Sequence, residues 1–240
     1  MLGIETATVR GGVALVSGSG DLVGEITLSN PESHSERILP ALDWLLATLG
    51  LAPPAIVAVA VSSGPGSFTG LRAGIATAKG LAFSLRVPLY GVATLEALAA
   101  NAPPGEGPVC AVLNARRGEV FRALFHQGPV GLERLGPDTL VPIAALADDL
   151  PPGCLVIGEF PALGPEARAG LGALRLAPPH LSHPRAAVIA GAGARALGEA
   201  RASEMNALLP RYLRPWDGAP ARPTPQIACT DAGLRFDPLR

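Results

Sequence analysis

Between Ser62 and Ala82 the sequence SSGPGSFTGLRAGIATAKGLA sets a glycine turn directly before a helical pattern, and this junction is where the chain could bind an anion. Gly64 and Gly66 allow positive φ or a close backbone approach, Pro65 stiffens the turn, and Ser67 is placed to cap the helix. Free amides and the helix dipole would then point the same way, towards phosphate or carboxylate. The stretch is not a Walker loop, which ends in Gly-Lys-Ser/Thr. Here Leu71 and Arg72 follow Gly70, and the only lysine, Lys79, lies well along the helix.

The other reactive groups do not assemble into a catalytic set. Ser62, Ser63, Ser67 and Thr69 offer hydroxyls, but no histidine has a context that would pair with them. His34 lacks a partner four residues on, where Ile38 stands, and His180 and His183 lie in PPHLSHP, whose prolines oppose an aligning helix. The expectation is no catalytic residue and no metal site. Cys110, Cys154 and Cys229 are widely spaced without a CxxC pair, so neither a disulfide framework nor a zinc site is indicated, and a reducing cytoplasm is expected.

The chain has 240 residues, of which 48% are hydrophobic, enough for a sizeable core. Its net charge of −1 gives no global attraction to nucleic acid, so any RNA contact must be local or supplied by a partner. MLGIETATV has neither a basic n-region nor a long apolar segment, and no run approaches the roughly 18 apolar residues of a membrane span. Export and membrane insertion are not expected.

Strands over 2–6, 11–17 and 22–28 read as a β-meander. Ser33 and Glu36 have capping-box spacing ahead of a helix that Gly50 and Pro53 end. A strand over 55–61, a helix over 67–85, a strand over 88–92 and a helix from Thr94 complete a βββαβαβα order. After a proline- and glycine-rich linker at 101–108 a similar series begins: strands over 109–113, 118–126 and 132–135, a helix over 142–150, a strand over 154–157, and helices over 165–170 and 185–201. The fold class is therefore α/β, with two ribonuclease-H-like lobes of mixed sheets and helices. They are assigned to 1–103 and 104–214, with a cleft between them and a proline-rich, extended or partly disordered tail over 215–240.

The first helix carries Ile38, Leu42, Leu45 and Leu49 as one stripe, widened by Leu39 and Leu46. The second has small residues at Gly70, Gly74, Ala78 and Ala82, interleaved with Leu71, Ile75 and Leu81, which would let another helix come close. This apolar surface exceeds one sheet contact. It predicts a partner interface through Ile38, Leu39, Leu42, Leu45, Leu46, Gly70, Leu71, Gly74, Ile75 and Ala78, so that Leu42→Asp or Ile75→Asp would weaken binding and leave the lobe folded. Packing on the chain's own sheet would use the same residues.

IETAT at 4–8, HSERILP at 34–40, GPGSFTGLRAGIATAKGLA at 64–82, GVATLEALA at 91–99, NARRGEVF at 114–121 and PRYLR at 210–214 resemble the TsaB (YeaZ) family. GPGSFTGLR is the most specific of these islands. The resemblance implies a fold shared with actin, Hsp70 and sugar kinases, and a non-catalytic scaffold that works in threonylcarbamoyladenosine modification of the tRNA adenosine next to the anticodon. It implies a TsaD-like catalytic subunit as partner, a TsaE-like ATPase subunit in the assembled complex, tRNA reached indirectly, a homodimer when the partner is absent, and no membrane.

Phosphotransferases of this superfamily place an aspartate at the end of each lobe's leading strand, where this chain has Glu5 and Asn114. Autonomous ATP hydrolysis and a firmly bound cofactor are therefore not expected. A weak nucleotide site at a partner interface stays open, with Glu5, Thr6, Gly64, Gly66 and Ser67 as its candidates. In the other reading, Glu5 and Thr6 tie the strand end to the glycine turn. Arg116, Arg117 and Glu119 read either as a solvated hairpin cluster or as a contact for a partner or tRNA phosphate. The rival functions are an ATP-dependent small-molecule kinase or ATPase and, third, a metalloprotease.

Overall fold

The structure is a computed structural model that describes residues 1–29, 34–129, 131–159, 174–199 and 207–214. In the first sheet, β1 (Leu2–Glu5), β2 (Arg10–Val16) and β3 (Leu22–Ser29) form an antiparallel meander, while β4 (Val59–Gly64) and β5 (Leu89–Ala93) run parallel to β1. The order is β3-β2-β1-β4-β5. In the second sheet, β6 (Gly107–Arg116) pairs antiparallel with β7 (Glu119–Gln127), which carries β8 (Leu132–Arg134) and β9 (Thr139–Pro142). On its other side β6 pairs parallel with β10 (Leu155–Gly158), followed by β11 (Arg175–Leu176). Read from its antiparallel end, this sheet runs β8-β7-β6-β10-β11, the same plan as the first. The duplication is written in the hydrogen bonding.

All four residues of β1 are buried, as expected for a central strand covered on both faces. On one face lie α1 (His34–Thr48) and α2 (Phe68–Leu85), whose Ile38, Leu42, Leu45, Ile75 and Ala78 join Leu2, Ile4, Val13 and Val61 in one core. Helix α2 starts where Ser67 Oγ accepts the Gly70 N–H at 3.3 Å and stops at Arg86, which is left-handed at φ 57°.

The opposite face is covered by α4 (Ala186–Gly198), whose Ile189 and Ala190 pack on Met1, Val16, Ala60 and Tyr90. Gly3 permits this approach, since a Cβ there would meet the Ala186 carbonyl and Ala190 well under 3.0 Å. The short α3 (Thr94–Ala99), which follows the first sheet, packs Leu95 and Leu98 against Val109, Ala111, Leu113 and Phe125 of the second. Each lobe's closing helix thus sits on the other lobe's sheet. Residues 186–198, placed by sequence order in the 104–214 lobe, pack on the sheet of the 1–103 lobe.

Two expectations change. The strand expected over 55–61 begins at Val59, behind a 3-10 turn at Pro53–Ala55 imposed by two prolines, and continues through Ser62 and Ser63 to Gly64. The helix expected over 142–150 is absent: Thr139–Pro142 is a strand, and a 3-10 turn at Ile143–Ala145 buries Leu146, whose carbonyl accepts from Arg122 at 3.0 Å. Strands β9 and β11, four and two residues long, have too little periodicity to be read beforehand. The Ser33 cap, the helix over 165–170, the end of the helix beyond 199 and the tail over 215–240 lie outside the described residues.

Candidate functional site

A cleft of about 1380 Å³ opens between the lobes. One wall is the glycine turn and the start of α2, from Pro65 to Thr69 with Arg72; the other is the end of β6, Leu113 to Arg116, with Phe121 of β7 and Glu159 after β10. Residues 211–214 cross its mouth.

Glu5 ends β1 beneath this cleft and is 1% exposed. The Ala7 N–H donates to its Oε1 at 2.6 Å, while Oε2 has no hydrogen-bond partner among the described residues. Burial pushes its pKa up to about 8, against the pull of hydrogen bonds from Ala7, Ser62 and Thr8, with the Glu159 charge adding to the rise. Near neutral pH the side chain is therefore mostly an uncharged acid, a poor ligand for a hard cation. The Thr6 N–H donates to Ser62 Oγ at 3.4 Å, and Thr6 presses its carbonyl on Gly70 and its hydroxyl on Gly74, where a Cβ would clash. Glu5 and Thr6 thereby join β1 to β4 and α2.

Several of the amides that the sequence offered to an anion are engaged inside the chain. The Gly64 N–H donates to Thr94 Oγ1 at 3.2 Å, the Ser67 N–H to the Ala7 carbonyl at 2.7 Å, and the Gly70 N–H to Ser67 Oγ. Gly64 is left-handed at φ 113°, and a Cβ there would lie 2.5 Å from the Arg211 carbonyl. Gly66 is pressed on Ala7 in the same way. The turn's glycines serve close packing against strand and strap.

On the opposite wall, Asn114 Oδ1 accepts the Arg116 N–H at 2.8 Å and so shapes the hairpin, where Arg116 and Arg117 are left-handed at φ 63° and 54°. Glu159 has its pKa raised by burial and lowered by Arg10.

The segment 207–214 acts as a strap across both lobes. Leu208 is buried in the first core beside Gly91, and the Arg211 N–H donates to the Ser63 carbonyl at 2.7 Å. Leu213 packs on the second core, and Arg214 donates to the Ala115 carbonyl at 3.0 Å and pairs with Glu119. Arg211 reaches the buried Asp138 Oδ2 at 3.3 Å, without hydrogen-bond alignment. At the mouth, the Phe68 and Tyr212 rings stack at 4.9 Å, the Arg72 guanidinium lies 3.7 Å from the Phe68 centroid, and its Nε donates to Tyr212 Oη at 2.9 Å. Neither Phe68 nor Tyr212 has a role of its own in the sequence reading. PRYLR stood out only by resemblance, because an aperiodic strap carries no local signature.

The residues expected at a partner interface are corrected by burial. Ile38, Leu42, Leu45, Leu46, Gly70, Leu71, Gly74, Ile75 and Ala78 all lie in the chain's interior, because their stripes face the sheet that α1 and α2 cover. Leu39 alone of the ten is exposed, at 45%. The outward faces instead carry Trp44, 63% exposed, and Phe83, 76% exposed, with Ala76 exposed and Gly80 facing open space between them and the start of α2. His180 lies within the 3-10 turn at Pro179–Leu181 and His183 just beyond it, where its Nδ1 lies 3.2 Å from Arg10 Nη1. Among the described residues no group of three or more His, Cys, Asp and Glu could hold a metal, and no helix is long and apolar enough to cross a membrane. The Cys110 and Cys154 thiols are buried, and burial pushes the Cys110 pKa up to about 12, far from a reactive thiolate.

A family model described as TsaD, tRNA N6-adenosine threonylcarbamoyltransferase, matches residues 22–203. The Bacillus subtilis tRNA threonylcarbamoyladenosine biosynthesis protein TsaB is 36% identical over 60% of this chain, and its Escherichia coli counterpart 40% identical over 55%. These matches span 62% and 57% of those two relatives, less than two thirds of their length. The solved structure of YeaZ from Pseudomonas aeruginosa superposes with a TM-score of 0.74 at 26% identity, covering 88% of this chain and 98% of that one. On these likenesses the chain belongs to the TsaB (YeaZ) family, within the wider family that the TsaD model describes.

Proposed function

We propose that this chain is a cytoplasmic, non-catalytic scaffold for a TsaD-like subunit, which it enables to place a threonylcarbamoyl group on the tRNA adenosine next to the anticodon. The observation that carries this reading is the state of the two leading-strand ends. Glu5 is buried and largely uncharged, and Asn114 is built into a hairpin, so neither position offers the charged carboxylate that would organise Mg²⁺ and water. The inward engagement of the turn amides speaks in the same direction, against a nucleotide of the chain's own.

The partner surface we assign is the outward face of α1 and α2, with Leu39, Trp44 and Phe83 as anchors and Ala76 and Gly80 allowing close helix approach. The same face would self-associate into a homodimer when the partner is absent. A TsaE-like ATPase subunit would join the assembled complex and hydrolyse ATP there.

Reconstitution tests the reading: the TsaD-like subunit with its other components should modify tRNA only when this chain is added. Modification by this chain alone, or full activity without it, would overturn the scaffold role. Mg²⁺-dependent ATP hydrolysis by the isolated chain, abolished in Glu5→Ala, would move the assignment to the kinase or ATPase class.

A further inference from the structure

The cleft mouth has a chemistry that scaffolding does not require. A chain with 19 basic and 20 acidic side chains gathers Arg72, Arg116, Arg211 and Arg214 against a single acid, Glu159, on this one lining. Arg211 and Arg214 are paired with Asp138 and Glu119. Arg72 and Arg116 have no carboxylate partner among the described residues, and both are exposed. Between these cations stand two aromatic rings, Phe68 and Tyr212, 50% and 43% exposed, which hold each other and Arg72 in place. Stacked rings kept half in water beside guanidinium groups that no carboxylate neutralises are the parts of a single-stranded nucleic-acid platform.

We propose that this rim is a contact for unpaired RNA, with bases stacking on Phe68 and Tyr212 and neighbouring phosphates meeting Arg72 and Arg116. The proposal rests on the scaffold reading above, and deepens it: the chain touches the RNA substrate itself. A mononucleotide fits the observations less well. The rings lie at the outer rim, the Arg211 backbone covers Gly64, where a phosphate would approach the turn, and the cleft exceeds the roughly 300–1,000 Å³ of a small-ligand pocket. A duplex would satisfy the arginines and leave the rings unused.

The test is fluorescence anisotropy of the full chain with a labelled, unstructured RNA of about 12 nucleotides, within the site sizes of single-strand binders. Duplex RNA of the same sequence, ATP and polyglutamate serve as competitors. Single-stranded RNA should bind in preference to all three. Tyr212→Ala and Phe68→Ala should each weaken it about fivefold or more. Arg116→Ala should reduce the slope of log K against log salt by about 0.7. If Tyr212→Ala loosens the strap, as judged by melting, Tyr212→Leu decides the point, since it keeps apolar bulk and removes the ring face. Unchanged binding in the ring variants, or equal competition by polyglutamate or duplex, would overturn the proposal in favour of a plain positive patch. Equal competition by ATP would replace it with a mononucleotide site. These failures are separable from failure of the scaffold reading, which is scored by activity of the TsaD-like subunit with and without this chain.

Discussion

The two lobes share one strand plan and are clothed differently. The first carries two long helices, of 15 and 18 residues, on one face of its sheet. In the second, the connection from β9 to β10 makes only a 3-10 turn that lowers Leu146 onto the sheet. The hydrogen-bonded centre is common to both lobes, while the connection from β9 to β10, free of ladder constraints, differs from its counterpart in the first lobe. The first lobe consequently presents exposed apolar side chains on helices, and the second turns an arginine hairpin towards the cleft. The difference sets an exposed apolar face in one lobe against an arginine-bearing hairpin in the other, within a single repeated fold.

The largest effect that would break this comparison comes from the two faces of the first-lobe helices. Leu42 is 3% exposed, so Leu42→Asp should cost about 3–5 kcal/mol and collapse the urea midpoint. Phe83→Asp should change stability by less than about 0.5 kcal/mol and weaken binding to the TsaD-like subunit about tenfold or more in calorimetric titration. A folded Leu42→Asp that loses only binding would restore the interface expected from the helical stripe.

A second contrast lies within α2. Gly74→Ala drives a methyl group into Thr6 and should cost about 1–3 kcal/mol, whereas Gly80→Ala meets open space and should gain up to about 1 kcal/mol from helix propensity. Melting temperatures moving in the same direction would mean that the buried and open stripes are wrongly assigned.

A third contrast lies between the two leading strands, read through pH. The native Glu5 pKa of about 8 lies above the ordinary value of 4.5, so between these values the native state holds a proton that the unfolded state has released. Glu5 therefore makes stability fall as pH rises through that window. Glu5→Gln should flatten the decline in Tm between pH 5 and pH 8, while Asn114→Ala should leave the pH slope untouched. An unchanged slope in Glu5→Gln would sever the link between burial and the uncharged acid.

Much of the fold was legible because its signals are local. Ser67 at a helix start, glycines at a turn and apolar strands announce themselves in short windows. The exposed apolar face of the first-lobe helices was not legible for a physical reason: a 3.6-residue stripe shows that a face is apolar, not what covers it. The stripe through Ile38, Leu42 and Leu45 belongs to the sheet, and Trp44 stands off it. Likewise the strap depends on Arg211 meeting Ser63 and on Leu213 meeting the second core, contacts far apart in sequence with no periodic trace. Glu5 could be read as a carboxyl at a strand end, but its charge state depends on how tightly β4 and the start of α2 enclose it.

The exchange of closing helices makes the molecule an internally interleaved pair. A rigid-body hinge of one half against the other would have to draw Leu95 and Leu98 from one core and Ile189 from another, exposing apolar surface on both sides at once. The chain should therefore unfold as one cooperative unit, and either half severed near residue 104 would lose the helix that the other half lays on its sheet. Such fragments should regain their packing only by finding each other, so the contact between the lobes helps to close each core.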